Sequence, residues 1–179
     1  MQNLIKHLKT IHVHRKWVRK YCFKLGFYWQ GLTHDLSKYS LTELSMCKYY
    51  TGKGSPHQVA REVLGYSPSW IHHYHTNKHH HMFWVDETET GELAPMKMPY
   101  KFVIESFADM LGASKAYNPK DWKPQMLLDY WEQKCVGKRL MHEDSIKLLD
   151  CLIRQFVHMG EETFFVWYID NRDLLKNTY

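Results

Sequence analysis

The feature that most constrains this fold is an apolar stripe near the N-terminus. Leu4, Leu8, Ile11, Val18, Cys22 and Leu25 recur at three, four or seven residues, the period of an amphipathic helix, and Gly26 marks its end. His14 falls on the stripe, three residues after Ile11 and four before Val18, so its imidazole points inward while His12 lies to the side. A histidine on an apolar face is either a hydrogen-bonded core residue or a ligand, and the charged groups that meet it decide which.

The rest of the chain also reads as helices separated by breakers. Ser40-Leu41-Thr42-Glu43 has the form of a capping box, which ends one helix near Tyr39 and starts another, with Glu43 as a cap. Residues 52–56 read as a loop, Pro56 to Leu64 as a short helix closed by Gly65, and Ser67-Pro68 as the start of a helix carrying Trp70, Ile71, His72 and His73. The acidic stretch from Asp86 to Pro95 predicts a surface loop or short hairpin, placed to lie over a pocket. Pro99 opens a helix through about Ala116 in which Phe102, Glu105, Asp109 and Ala113 share a face. After a turn at Ala116-Tyr117-Asn118-Pro119, three helices follow, around Pro124 to Cys135, Glu143 to Met159 and Glu161 to Leu175. With no repeat or linker, the expectation is one all-α domain over residues 1–179, a helical bundle in which 124–175 serve as scaffold.

Composition narrows the function classes. A chain of 179 residues that is 44% hydrophobic and 24% charged can build a full core. It has no run of 18 apolar residues and its N-terminus lacks the apolar stretch of a signal peptide, so no membrane association and a cytoplasmic location are expected. Cys22, Cys47, Cys135 and Cys151 are scattered without a C-x-x-C, which argues against a thiolate zinc site or a disulfide framework. The net charge of +5 is spread rather than blocked, weak support for a nucleic-acid partner and equally suited to a pocket for a small phosphorylated molecule.

Chemistry concentrates around His34-Asp35, within Gly31-Leu32-Thr33-His34-Asp35-Leu36-Ser37-Lys38. Read on a helix, the two side chains diverge by about 100°, yet a long imidazole and a short carboxylate can converge on one ion between them. Of thirteen histidines, seven lie in this doublet or between His72 and His81. His72 and His79, like His73 and His80, are seven apart and would share a face on an unbroken helix, although Asn77-Lys78 interrupts the pattern. They read as ligands of a second metal, as contacts to substrate phosphate, or as surface histidines.

The order His14, His34-Asp35, a histidine-rich segment and Asp109 resembles the HD superfamily of metal-dependent phosphohydrolases, whose metal is held by H…HD…D on an all-helical fold. The resemblance spans roughly residues 10 to 116. More closely, the chain is similar to an uncharacterised bacterial HD-like family with His-Asp-Leu-Ser-Lys and a His-His…Asn-Lys-His-His stretch, here His72-His73 and Asn77-Lys78-His79-His80. It implies His14, His34, Asp35 and Asp109 as metal ligands. Two imidazoles and two carboxylates suit Mn, Fe, Co, Ni, Zn or Mg, as one ion or two. Binuclear HD proteins usually space their extra histidines much farther apart than seven residues, a departure in this chain.

Lys38, one turn after His34, reads on spacing as a solvated lysine or as a phosphate contact; the resemblance favours the contact. Glu105 reads as a group that orients a histidine or acts as a base, or as a partner of Lys101. Three functions follow as expectations: a metal-dependent phosphohydrolase acting on a small phosphorylated substrate such as a nucleotide, a di-iron oxygenase on the same fold, or a non-catalytic, metal-containing ligand-binding domain. Oligomeric state is left open by the sequence.

Overall fold

The computed structural model describes residues 2–50 and 56–179. Of the loop read at 52–56, residues 52–55 lie outside the described residues, and Pro56 begins a helix. The architecture is all-α, with one small hairpin among the described residues: α1 (Gln2–Lys24), α2 (Tyr28–Thr33), α3 (Leu41–Leu44), α4 (Pro56–Leu64), α5 (Pro68–Thr76), α6 (Tyr100–Tyr117), α7 (Gln125–Lys134), α8 (Glu143–Met159) and α9 (Glu161–Thr178). Strands β1 (Val85–Glu87) and β2 (Leu93–Pro95) pair antiparallel, Asp86 opposite Ala94. No described helix is long and apolar enough to cross a membrane.

The axis of the fold is the pairing of α1 with α6. Helix α1 runs until Gly26, whose φ of 83° lets Gly26 N–H reach Phe23 O and Phe27 N–H reach Cys22 O, the paired bonds of a Schellman stop. Midway, α6 approaches so closely that a Cβ on Gly112 would lie 2.6 Å from Val18 Cγ2 and 3.0 Å from Val18 N. Only a glycine allows that approach. Because Gly112 is three residues after Asp109 and Val18 four after His14, the contact also fixes how near those two side chains lie.

Helix α6 divides the molecule. Ile104, Phe107, Ala108 and Leu111 join Val18, Tyr21 and Cys22 of α1 and Leu25 just after it, Leu127 and Trp131 of α7, Leu149, Leu152, Ile153 and Phe156 of α8, and Phe164 and Tyr168 of α9 in one apolar core. Trp131 Nε1–H donates to Asp150 Oδ1 at 2.9 Å, so the indole is buried without an orphan donor. Glu105 and Asp109, on the other side of α6, face the polar cluster described below.

One sequence expectation changes. The doublet does not sit on a helix: α2 ends at Thr33, His34 is extended (φ −48°, ψ 127°), and Asp35 is left-handed (φ 54°, ψ 28°) before a 3-10 turn at Leu36–Tyr39. Asp tolerates that region better than most residues, and the reversal turns both side chains toward one point. The interruption read at Asn77-Lys78 is present, and no single helix carries residues 72–80. Helix α5 stops at Thr76, where Asn77 Nδ2–H donates to His73 O at 2.9 Å and to Ser37 Oγ at 2.7 Å, and His79 and His80 follow in a turn.

Candidate metal centre

His14 from α1, His34 and Asp35 from the break after α2, and Asp109 from α6 converge. His14 Nε2 lies 3.3 Å from Asp35 Oδ2 and 3.1 Å from Asp109 Oδ1; His34 Nε2 lies 3.3 Å from both of those oxygens and from His14 Nε2. Donor atoms ringed around one ion at about 2.1 Å are spaced about 3.0–3.4 Å apart in octahedral or tetrahedral geometry. The four expected ligands therefore meet as a set.

Arg15, the residue after His14, holds the doublet in place. Its guanidinium donates to His34 O at 2.8 Å, Leu32 O at 3.2 Å and Tyr39 Oη at 3.1 Å. The same helix that supplies one ligand thus fixes the backbone of two others. Sequence reasoning passed over Arg15 because its partners are main-chain carbonyls brought near only by the fold.

A second donor set shares Asp35. While Oδ2 faces His14 and His34, Oδ1 lies 3.3 Å from His73 Nε2 and 3.5 Å from His79 Nε2, and His80 completes a group whose donor atoms are all within 4.8 Å of one another. Asp35 Oδ1, His79 Nε2 and His80 Nε2 are buried without a hydrogen-bond partner. Orphaned polar atoms in an interior cost on the order of 1–3 kcal/mol each, and three aimed at one spot fit a cation there. His72 is not brought into either set: it is partly exposed and its Nδ1 meets Glu43 Oε1 at 3.0 Å.

Glutamates behind the histidines select their tautomers. Glu105 Oε1 accepts from His34 Nδ1 at 3.0 Å and lies 3.2 Å from His79 Nδ1. Glu43 Oε2 accepts from His73 Nδ1 at 3.0 Å. Each bond leaves an Nε2 lone pair facing the cluster, the arrangement of a metal-ligating imidazole. Glu105 thus contacts two histidines, and no ion pair joins it to Lys101. Glu43 corrects the reading as a cap: Ser40 Oγ does accept from Glu43 N–H, but the Glu43 carboxylate turns to the histidines.

Electrostatics agree with this geometry. Burial opposes ionisation of Asp35, yet His34, Lys38 and His73 outweigh it and hold its carboxyl well below the usual range. For Asp109, burial is likewise outweighed, here by His14 and His34. Burial would strip the proton from His34, but Asp35, Asp109 and Glu105 raise its pKa well above the ordinary value. A cluster of carboxylates that favours a second proton on His34 has the donor set and charge that could hold a divalent cation in that proton's place. His80, by contrast, is pushed well below by burial and by His79 and His73, and stands as a neutral donor. Lys38 Nζ lies 3.2 Å from Asp35 Oδ2, so it touches a ligand as well as the space above it.

That space is a cavity of about 380 Å³ bordered by His14, Asp35, Lys38, His73, His79, His80 and Asp109. Trp70 and Tyr74 of α5 supply aromatic wall. Met126, Tyr130 and Arg139 also line it, which corrects the view of 124–175 as scaffold alone. The acidic hairpin at 86–95 contributes no lining residue.

An all-α chain with a buried histidine and carboxylate cluster able to hold metal is thus the class that fold and site define. The chain belongs to the family of unknown function DUF5662, which matches residues 3–155 and so includes every donor named above. Comparisons with curated proteins and with solved structures return no match.

Proposed function

We propose that this protein is a metal-dependent phosphohydrolase of the HD type, acting on a small phosphorylated molecule at a centre of two divalent ions bridged by Asp35. The observation that carries this reading is Asp35 itself, one oxygen turned to His14 and His34 and the other to His73 and His79. Ions bound there would supply Lewis acidity and a water acidic enough to attack phosphorus near neutral pH.

The chain's own residues do the remaining work. Glu105 and Glu43 hold the ligand imidazoles in one tautomer and orientation. Lys38, kept charged because Asp35 outweighs the effect of its burial, offers an ammonium at the cavity floor for a phosphoryl oxygen. The ester P–O bond breaks as the water oxygen bonds to phosphorus, and the leaving oxygen takes up a proton.

Protein stripped of metal and reloaded separately with Mn, Co, Ni, Zn, Fe or Mg tests this. Phosphate release from a panel of nucleotides and phosphomonoesters by at least one loaded form is the expected result. No release from any form whose metal content is verified contradicts it. The nitrogen-rich second set, His73, His79 and His80, favours one other reading, a di-iron oxygenase. Two irons per chain with a paramagnetic mixed-valent signal, together with silence on the phosphate panel, would select it.

A further inference from the structure

Two residues with fixed positive charge line the cavity among the described residues, and their situations differ. Lys38 is paired with Asp35 at 3.2 Å. Arg139 has no carboxylate within ion-pair distance among the described residues; its guanidinium donates to Tyr130 Oη at 2.7 Å and sits 5.8 Å from that ring's centre. Half-buried arginines are ordinarily matched to an acid or left in open water. This one borders an aromatic-walled cavity instead.

Arg139 is also held in place. It lies in the turn after α7, where its N–H bonds Cys135 O and Gly137 takes a φ of 65°. Neighbouring Trp131 is locked to Asp150, which in turn accepts from Arg154. Tyr74 links this corner to the metal-ligand side, with its ring 5.1 Å from that of His80. Burial raises the Tyr74 phenol's pKa, and the charge of Arg139 pulls it back. A guanidinium fixed this way is a preorganised fork for a carboxylate or phosphate.

The geometry points to Arg139 as a specificity-determining residue that receives a second anionic group of the substrate, at the end remote from the reacting phosphoryl group. This rests on the reading of the centre as a phosphate-binding metal site and adds the substrate class: small phosphate esters with a further carboxylate or phosphate, rather than esters of neutral alcohols. Tyr130 is the positioning residue, since its hydroxyl oxygen fixes one guanidinium nitrogen.

Calorimetric titration of the Mn-loaded protein with three series of non-hydrolysable ligands of graded chain length tests this: alkylphosphonates, ω-phosphonoalkanoates and α,ω-bisphosphonates. At the best length a doubly anionic ligand should bind about 10- to 100-fold tighter than the alkylphosphonate, and the two anionic series show whether carboxylate or phosphate is preferred. Arg139→Gln should collapse that preference to within about twofold, with Tyr130→Phe intermediate. Equal affinity across the three series, or a preference that survives Arg139→Gln, overturns the inference and leaves the metal-centre reading standing. Failure of every phosphonate to bind removes both.

Discussion

The two halves of the site are built differently. His14 and Asp109 project from regular helices, α1 and α6, clamped together at Val18 and Gly112. His73, His79 and His80 come from the end of α5 and the turn beyond it, held by Asn77, Ser37 and Glu43. Helix pairing makes the first set rigid through packed apolar neighbours. The second depends on a polar network in which each member holds the next. Asp35 belongs to both, so substitutions should separate the halves or lose them together.

The largest effect is expected at the shared residue. Asp35→Asn tolerates the left-handed backbone but removes the anion common to both sets, and metal content should fall at least about 100-fold in retained affinity, read by plasma emission after dialysis. Next comes Glu43→Gln, which removes the anionic acceptor from His73. Weakening of about 10- to 100-fold is expected for one ion only, visible by titration as one unchanged and one weakened site; equal weakening of both would erase the distinction between the halves.

Gly112→Ala attacks the helical half from the apolar side. The new methyl must displace Val18, and unfolding of the metal-free protein in urea should show a loss of about 2 kcal/mol. Metal affinity of the His14 and Asp109 set should fall with it. A smaller effect concerns His57, which contacts Ser67 Oγ and Ser69 Oγ at the start of α5 and whose pKa is lowered to about 3, by burial first and then by Lys38. Since the folded pKa lies below the unfolded value of about 6.5, the unfolded chain takes the proton first. Stability is therefore full well above pH 6.5 and declines as pH falls toward 3, by about 1.4 kcal/mol at pH 5.5. His57→Asn should flatten that part of the pH profile.

What was legible in the sequence follows the same division. Periodicity placed α1 and α6, put His14 on an inward face and put Glu105 and Asp109 on one shared face, and the breakers gave α4, α8 and the hairpin closely. The doublet's convergence was read through a helix, whereas the chain achieves it by a left-handed Asp35, a backbone state that no residue pattern here announces. The choice of His73, His79 and His80 over His72 was not readable, since it depends on where α5 stops and which side of it Glu43 meets. Arg139 lay still further out of reach: nothing near it in the chain hints at a cavity, and only the packing of α7 and its following turn brings it there.

The direct test of the central claim is anomalous diffraction from crystals of the protein loaded with Mn or Zn. Two peaks are expected, one about 2.0–2.3 Å from Asp35 Oδ2 and ligated by His14, His34 and Asp109, the other at the same range from Asp35 Oδ1 and ligated by His73, His79 and His80. A single peak remote from Asp35, or none while Asp35 stays paired with Lys38, would contradict the account.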